Sequence, residues 1–218
     1  MLRASLALLR DFRRALGVRR AAIALPRWLV RREFSVLLVD LSRLRPVQPV
    51  AAELEWTPLA EPEIPRLLAL NPALVESDVR RWLEAGHECM LARLDGEIVH
   101  FRTYVTGRVE LPYLGRALRL EEGDVLLGMV YTAPTLRRRG LLSVAARWSA
   151  HHVRSRGHRR MVAVIASWNE APLRAAQKVG MEVVGVAGAW RLGPWRRSFA
   201  RGRVRFDAAG DLRLPPSG

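Results

Sequence analysis

Residues 130–145 read VYTAPTLRRRGLLSVA, and the order of their properties decides the fold. An apolar run ends in Ala133-Pro134-Thr135. Arg137, Arg138 and Arg139 come next, then Gly140, then apolar residues at helical spacing. This is a strand handing over to a helix. A helix N-terminus exposes unpaired N–H groups and the positive end of the helix dipole, so it favours anions. Guanidinium groups placed there repel the dipole. A bound polyanion removes the conflict: N–H groups cradle a phosphate, glycine allows close approach, and arginines clamp further oxygens. A solvated basic turn is the plain alternative. The spacing matches neither the G-x-x-x-x-G-K-[ST] phosphate loop nor the dinucleotide G-x-G-x-x-G.

The segments around this stretch extend the pattern. DVLLGMVYT, residues 124–132, is apolar at nearly every position, as expected of a strand covered on both faces. From about Arg137 to Arg156 the period is helical. Leu141, Val144, Ala145, Trp148 and His152 share one face, and Arg139, Ser143, Arg147 and Arg154 the other, with Gly157 as the stop. RMVAVIA, 160–166, is a second fully apolar strand. Strand, long helix, strand is a βαβ unit, so the two strands should be parallel. A short helix follows over NEAPLRAAQKVG, 169–180, with Asn169 as cap and Gly180 as stop. Residues 181–192 and 197–206 read as two closing strands.

Upstream, ELEWTPL (53–59) is strand-like, and short helices are expected within 61–72 and 76–86, the second capped by Ser77. ECMLARL-DG-EIVHFRTYV, 88–105, is a hairpin around Asp95-Gly96, a dipeptide suited to a type I′ turn. FSVLLVD, 34–40, is another apolar strand, but RLRPVQPVAAE after it, with two prolines, reads as a linker. The expected layout is therefore a basic N-terminal extension over 1–48, one domain over 49–206, and a tail over 207–218. The fold class is α/β (α+β), a mixed and mostly antiparallel sheet holding a parallel βαβ cleft flanked by helices.

Composition bounds the function. The 218 residues carry a formal charge of +15, and of 36 basic residues only Lys178 is lysine. That charge invites polyanions: nucleic acid, acidic lipid or a phosphorylated cofactor. The arginine skew also has the look of GC-rich codon usage. A lone cysteine, Cys89, excludes an internal disulfide, is expected as a buried structural thiol, and fits a reducing, cytoplasmic setting. No apolar run reaches the roughly 20 residues of a membrane-spanning helix. Residues 1–32 hold nine arginines and one acid, with Leu2, Leu6, Leu9, Phe12 and Leu16 on one helical side. Such a segment covers the domain's own core, or lies weakly on an anionic surface, or serves as a mitochondrial presequence.

Two blocks carry a resemblance. Arg137-Arg138-Arg139-Gly140-Leu141-Leu142, preceded by Pro134, is similar to the [QR]-x-x-G-x-[GA] element of the GNAT superfamily, the acyl-CoA-dependent N-acyltransferases. NEAPLRAAQKVGM resembles that family's N-x-x-(small)-…-K-x-G-F segment, with Asn169, Lys178 and Gly180 in step. The blocks occur in order with a whole strand between them. The resemblance spans roughly 52–206. Three positions depart from it: Leu142 stands for the last small residue, Met181 for the usual aromatic, and Ala176 for the tyrosine that in many members protonates the departing thiolate.

The resemblance implies acetyl-CoA or another acyl-CoA as co-substrate, no metal, and an amine acceptor that attacks the thioester directly in a ternary complex. It implies that main-chain groups of Val130, Tyr131 and Thr132 pair with the pantetheine arm and hold the developing oxyanion. N–H groups from Arg138 to Ser143 would take the pyrophosphate and arginine side chains the further phosphate. Asn169 is expected as a cap and then as a cleft contact. Strand 124–132 lacks the acid that many members place there between Val125 and Thr132. His100 and Tyr131 are the catalytic candidates, with Tyr104 and Asp124 behind them. His100 titrates in the useful range, although a strand histidine is commonly structural. His151-His152 lacks metal-ligand partners, and the tryptophans are core or pocket walls. An acyl-CoA sensor without turnover and an arginine-rich nucleic-acid binder are the competing functions. No RNA-binding motif or stacking platform is recognisable, so no specific nucleic acid is expected. A homodimer is compatible with the sequence.

Overall fold

The computed structural model describes residues 31–44, 54–137, 140–192 and 195–216. The expected N-terminal helix and most of the proline-containing linker lie outside these residues. Among the described residues, eight strands form the main sheet: β1 (Arg31–Asp40), β2 (Glu55–Pro58), β3 (Glu88–Leu94), β4 (Glu97–Val105), β7 (Asp124–Thr132), β8 (Arg160–Ala166), β9 (Glu182–Leu192) and β10 (Trp195–Gly202). Their spatial order is β10-β9-β1-β8-β7-β4-β3-β2. β7 and β8 run parallel and their neighbours pair antiparallel. A second sheet holds β5 (Arg108–Leu111), β6 (Arg116–Arg119), β11 (Arg205–Phe206) and β12 (Leu212–Arg213). The helices are α1 (Ile64–Leu70), α2 (Glu76–Glu84), α3 (Leu141–Ser155) and α4 (Glu170–Lys178). The fold is a mixed, mostly antiparallel α+β architecture, and none of the described helices is long and apolar enough to cross a membrane.

Consecutive apolar residues in β1, β7 and β8 bury both faces of the sheet's middle. On one face, Leu37, Val39, Val125 and Met161 pack against Ala146, Ala150 and Val153 of α3 and Ala176 and Val179 of α4. On the other, α1 and α2 cover Leu91, Ile98 and Phe101 through Ile64, Leu67 and Val79. The second sheet covers Phe34, Val36, Val162 and Val184 through Leu114, Leu118 and Leu212. In the β3–β4 hairpin both turn residues take positive φ, Asp95 at 52° and Gly96 at 80°, as a type I′ turn requires.

Three expectations need correction. β1 is no part of a separate extension: it pairs with β8 along one edge and β9 along the other, so the boundary near residue 48 does not divide it from the main sheet. Its Val36 and Leu37 are both 0% exposed, and a strand buried on both faces needs neighbours on both edges. The stretch 207–218 likewise contains β12, which pairs parallel with β6, and Asp211, which accepts two hydrogen bonds from Arg108 at 2.9 and 3.0 Å. A two-residue strand carries no periodicity to read. Finally, α2 starts two residues early, with Val75 rather than Ser77 at its cap, so Ser77 lies inside the first turn beside Glu76 and Asp78.

The buried end of β7 is held by an ion pair. Arg160 donates from Nε and Nη2 to the two carboxylate oxygens of Asp124, each at 2.6 Å, and from Nη1 to the Pro215 carbonyl at 2.8 Å. Asp124 also accepts the Glu121 N–H at 3.0 Å. Both side chains are almost wholly buried. Arg160 also donates from Nη2 to Glu121 Oε2 at 3.1 Å, but that carboxylate is half-exposed, so losing Asp124 leaves the buried guanidinium poorly compensated, and losing Arg160 leaves Asp124 without a cation. Asp124→Ala should lower unfolding stability by about 3–5 kcal/mol, read from the urea midpoint, and Asp124→Leu with Arg160→Met should recover much of that loss.

Candidate functional site

The parallel strands part company four residues in. Pairing joins Asp124–Leu127 to Arg160–Ala163 and stops. Beyond it β7 stays on β4, with Val130 opposite Arg102, Tyr131 opposite Phe101 and Thr132 opposite His100. β8 stays on β1, with Val164 opposite Val36 and Ala166 opposite Phe34. A gap therefore opens in the middle of the sheet. Its local cause is a β-bulge: between the Tyr104–Leu127 and Arg102–Val130 pairs, Gly128 and Met129 face the single residue Thr103. The Met129 N–H donates to Thr103 Oγ1 at 2.8 Å. A Cβ on residue 128 would stand 2.3 Å from the same oxygen, so glycine is required there. Met129 and Val130 are exposed in a central strand, and their gap-facing main-chain groups have no strand partner among the described residues.

The start of α3 lies just past the end of β7. Gly140 is its N-cap, at φ 79°, and has no side chain to cap the helix. The Ser143 and Val144 N–H groups both donate to the Gly140 carbonyl, at 2.9 and 3.2 Å. The Ser143 N–H, expected among the phosphate-binding groups, therefore has an acceptor within the helix. The N–H groups of Gly140, Leu141 and Leu142 have no acceptor among the described residues, and no acid sits in the first turn. Arg137 folds back over β7, its Nε donating to the Thr132 carbonyl at 3.1 Å and its guanidinium 5.2 Å from the centre of the Tyr131 ring. Arg138 and Arg139 lie outside the described residues.

The two catalytic candidates are not brought together. His100 points to the α3 face and is 0% exposed. Its Nδ1 is 2.8 Å from Thr132 Oγ1, and burial first, then the Arg102 charge, pushes its pKa down to about 3. Trp56 meets it edge-on and stacks on Trp148 at 4.0 Å, which stacks on His152 at 4.6 Å. Tyr131 lies on the opposite face, over Phe101. Asp124 is engaged with Arg160 at the closed apex. Tyr104 is buried, its phenol pushed up to about 12, chiefly by burial. Ala176 is buried against α3 and the sheet. Asn169 occupies the cap position of α4 without a side-chain cap bond. Cys89 is a buried thiol pushed up to about 12 by burial.

Sequence reasoning missed a buried polar layer beneath α3. Ser149 donates to the Ala145 carbonyl at 2.7 Å, so Tyr104 donates to Ser149 Oγ at 2.8 Å and Arg102 Nη1 donates to it at 3.1 Å. An arginine on a strand normally faces water, so nothing local marked Arg102 as interior. A hydroxyl pair, Ser35 and Ser167 at 3.1 Å, lies beside the open end of β8 and was also missed.

Comparison with known proteins agrees with this geometry. The Acetyltransferase (GNAT) family model matches residues 52–181. A glucosamine N-acetyltransferase region of a fungal multi-domain β-N-acetylglucosaminidase has a TM-score of 0.54 at 17% identity, over 84% of this chain and 22% of that one. A Drosophila protein has a TM-score of 0.52 at 14% identity, over 78% of this chain and 55% of that one. A Novosphingobium aromaticivorans protein ascribed to the GNAT family has a TM-score of 0.50 at 17% identity, over 72% of this chain and 62% of that one. The chain thus spans between a fifth and two thirds of these structures, and at such identities the likeness is one of fold. No curated protein sequence matches. The family match runs from the edge strand β2 through the bulge, the cleft and the first turns of α3 to the end of α4, and on that ground the chain belongs to the GNAT acetyltransferase family.

Proposed function

We propose that this protein is an acyl-CoA-dependent N-acyltransferase, with acetyl-CoA as the simplest donor, acting on an amine by direct attack in a ternary complex. The observation that carries the reading is the conjunction at the mouth of the cleft. The edge of β7, unpaired among the described residues, ends beside a helix start whose Gly140, Leu141 and Leu142 N–H groups have no acceptor among those residues, next to a run of arginines.

In this reading the main chain of Val130 and Tyr131 pairs with the pantetheine arm, and a gap-facing N–H there polarises the thioester carbonyl. Arg137 occupies the Thr132 carbonyl and so closes the inner rim. Pyrophosphate lies on the first N–H groups of α3, and Arg138 and Arg139 supply further cations. Rate comes mainly from positioning the two substrates. An alkyl ammonium, with a pKa near ~10.4, must shed a proton first. His100 is too buried to take it and acts instead as a positioning residue, holding Thr132 and hence the end of the cleft strand. Tyr131, half-buried on the other face, is the remaining candidate for relaying that proton to water. With Ala176 carrying no hydroxyl, solvent protonates the leaving thiolate. The free, buried Cys89 thiol suits a reducing compartment such as the cytoplasm.

A second reading, binding of acyl-CoA without turnover, is favoured by Ala176 and by the absence of an acid between Val125 and Thr132 of β7. Calorimetric titration with acetyl-CoA beside a thiol-release assay over an amine panel separates the two. Binding with release is expected, binding without release supports the sensor, and no binding sinks both. Arg137→Gln should raise the acetyl-CoA dissociation constant about tenfold, because it removes a cation from the phosphate end and frees the Thr132 carbonyl.

The buried imidazole also sets a pH dependence. The folded pKa of His100 lies below its unfolded value of 6.5, so its contribution to stability is complete above pH 6.5 and is lost as pH falls toward about 3. Between pH 6.5 and 5 the loss should be about 2 kcal/mol, at about 1.4 kcal/mol per pH unit. His100→Gln should flatten that slope in urea titrations.

A further inference from the structure

The half of the sheet beyond β8 carries charge that the cleft does not use. β1, β9 and β10 run on past Ala166 at the end of the sheet where the cleft opens, with Arg31 opposite Trp190 and Trp190 opposite Arg197. Side chains alternate along β1, so Arg31 lies on the same face as Leu37 and Val39, the face that α3 and α4 cover further along. At this end the rings and guanidinium groups form a ladder. The Arg31 guanidinium is 5.0 Å from the Trp190 ring centre and 5.6 Å from that of Phe199. Arg201 follows at 5.3 Å from Phe199. Trp190 is 37% exposed, and Arg197 and Arg201 are exposed.

The opposite face of the same strands is also basic. Arg191 and Arg196 stand directly across from one another. Arg196 donates to the Tyr113 carbonyl at 3.1 Å, and Arg116 to Ser198 Oγ at 3.3 Å. After burial, the charges of Arg196 and Arg191 lower the pKa of Arg32, and those of Arg191 and Arg116 lower that of Arg196. Glu33 pairs with Arg31. No carboxylate among the described residues pairs with Arg116, Arg191, Arg196, Arg197 or Arg201. Gathering like charges gives the isolated chain no stability, whereas phosphates placed among them release counter-ions and gain affinity.

We propose that the Trp190 face at this end of β1, β9 and β10 is a docking surface for single-stranded nucleic acid, with Arg197 and Arg201 on the phosphates and Trp190 stacking a base. Phosphate alone would need only the arginines. The exposed indole within a ladder of planar cations adds the second element of single-strand recognition, a platform on which any base can stack. A lipid surface would instead call for apolar rings projecting free of their cations. The surface revises the expectation that no stacking platform exists: its parts come from strands far apart in the chain. It stands independently of acyl transfer.

The test uses the full chain and a fluorescein-labelled 20-nucleotide uridine-rich RNA, with anisotropy measured from 50 to 200 mM NaCl. Arg197→Glu/Arg201→Glu should weaken binding at least tenfold at 100 mM salt and flatten the log–log salt slope by about 1.4. Trp190→Ala should weaken it about tenfold with the slope unchanged, and Trp190→Tyr should keep most of the affinity. Acetyl-CoA titration and thermal unfolding serve as controls and should match the parent chain. The proposal is overturned if the charge-reversed variant binds RNA as the parent does. It is equally overturned if Trp190→Ala is silent while heparin competes as well as RNA, or if phosphatidylserine vesicles bind and RNA does not.

Discussion

Four residue pairs of parallel ladder hold this architecture together and also limit it. Asp124–Leu127 and Arg160–Ala163 join the two halves of the main sheet, and the Asp124–Arg160 ion pair pins their shared end in the interior. Were the ladder longer, no gap would exist. Were it absent, the β2-β3-β4-β7 and β8-β1-β9-β10 halves would have no shared edge. The bulge at Gly128–Met129 turns one half away from the other at the residue where pairing ends, and Thr103 satisfies the N–H that the bulge would otherwise leave unpaired.

What the opening offers is backbone. A central strand with an unpaired edge supplies the main-chain donors and acceptors of a missing neighbour, and an extended arm of a ligand can take that place. The adjoining helix start supplies donors of a different kind, aimed at anions. Both are geometric properties, which explains how a family can keep its donor site while individual side chains drift. Leu142 and Ala176 depart from the family pattern, yet neither alters the cleft edge or the N–H groups of Gly140, Leu141 and Leu142, which have no acceptor among the described residues.

Side-chain chemistry in the cleft is sparse by comparison. His100, Tyr104 and Asp124, all ionisable and all close to β7 in sequence register, are buried in bonds of their own. Buried imidazole and phenol groups favour their neutral forms, so these residues stiffen the wall that faces α3 instead of exchanging protons with the cleft. The Trp56–Trp148–His152 stack extends the same wall. Membership of the family rests on the match over residues 52–181, and what the cleft presents is main-chain groups more than acid–base side chains.

The sequence alone determined the βαβ unit, the hairpin at Asp95-Gly96, the stops at Gly157 and Gly180 and the arginine-glycine entry to α3, because each is written in neighbouring residues through period, turn chemistry and dipole. It could not show that β1 belongs inside the sheet, since a proline-containing linker looks the same whether the strand behind it stands alone or pairs with residues more than a hundred positions away. Nor could it place Arg102 beneath α3 or gather Arg31, Trp190 and Phe199 on one face. Those depend on which strands become neighbours and on where a bulge moves the register, and only the long-range packing of the folded chain decides both.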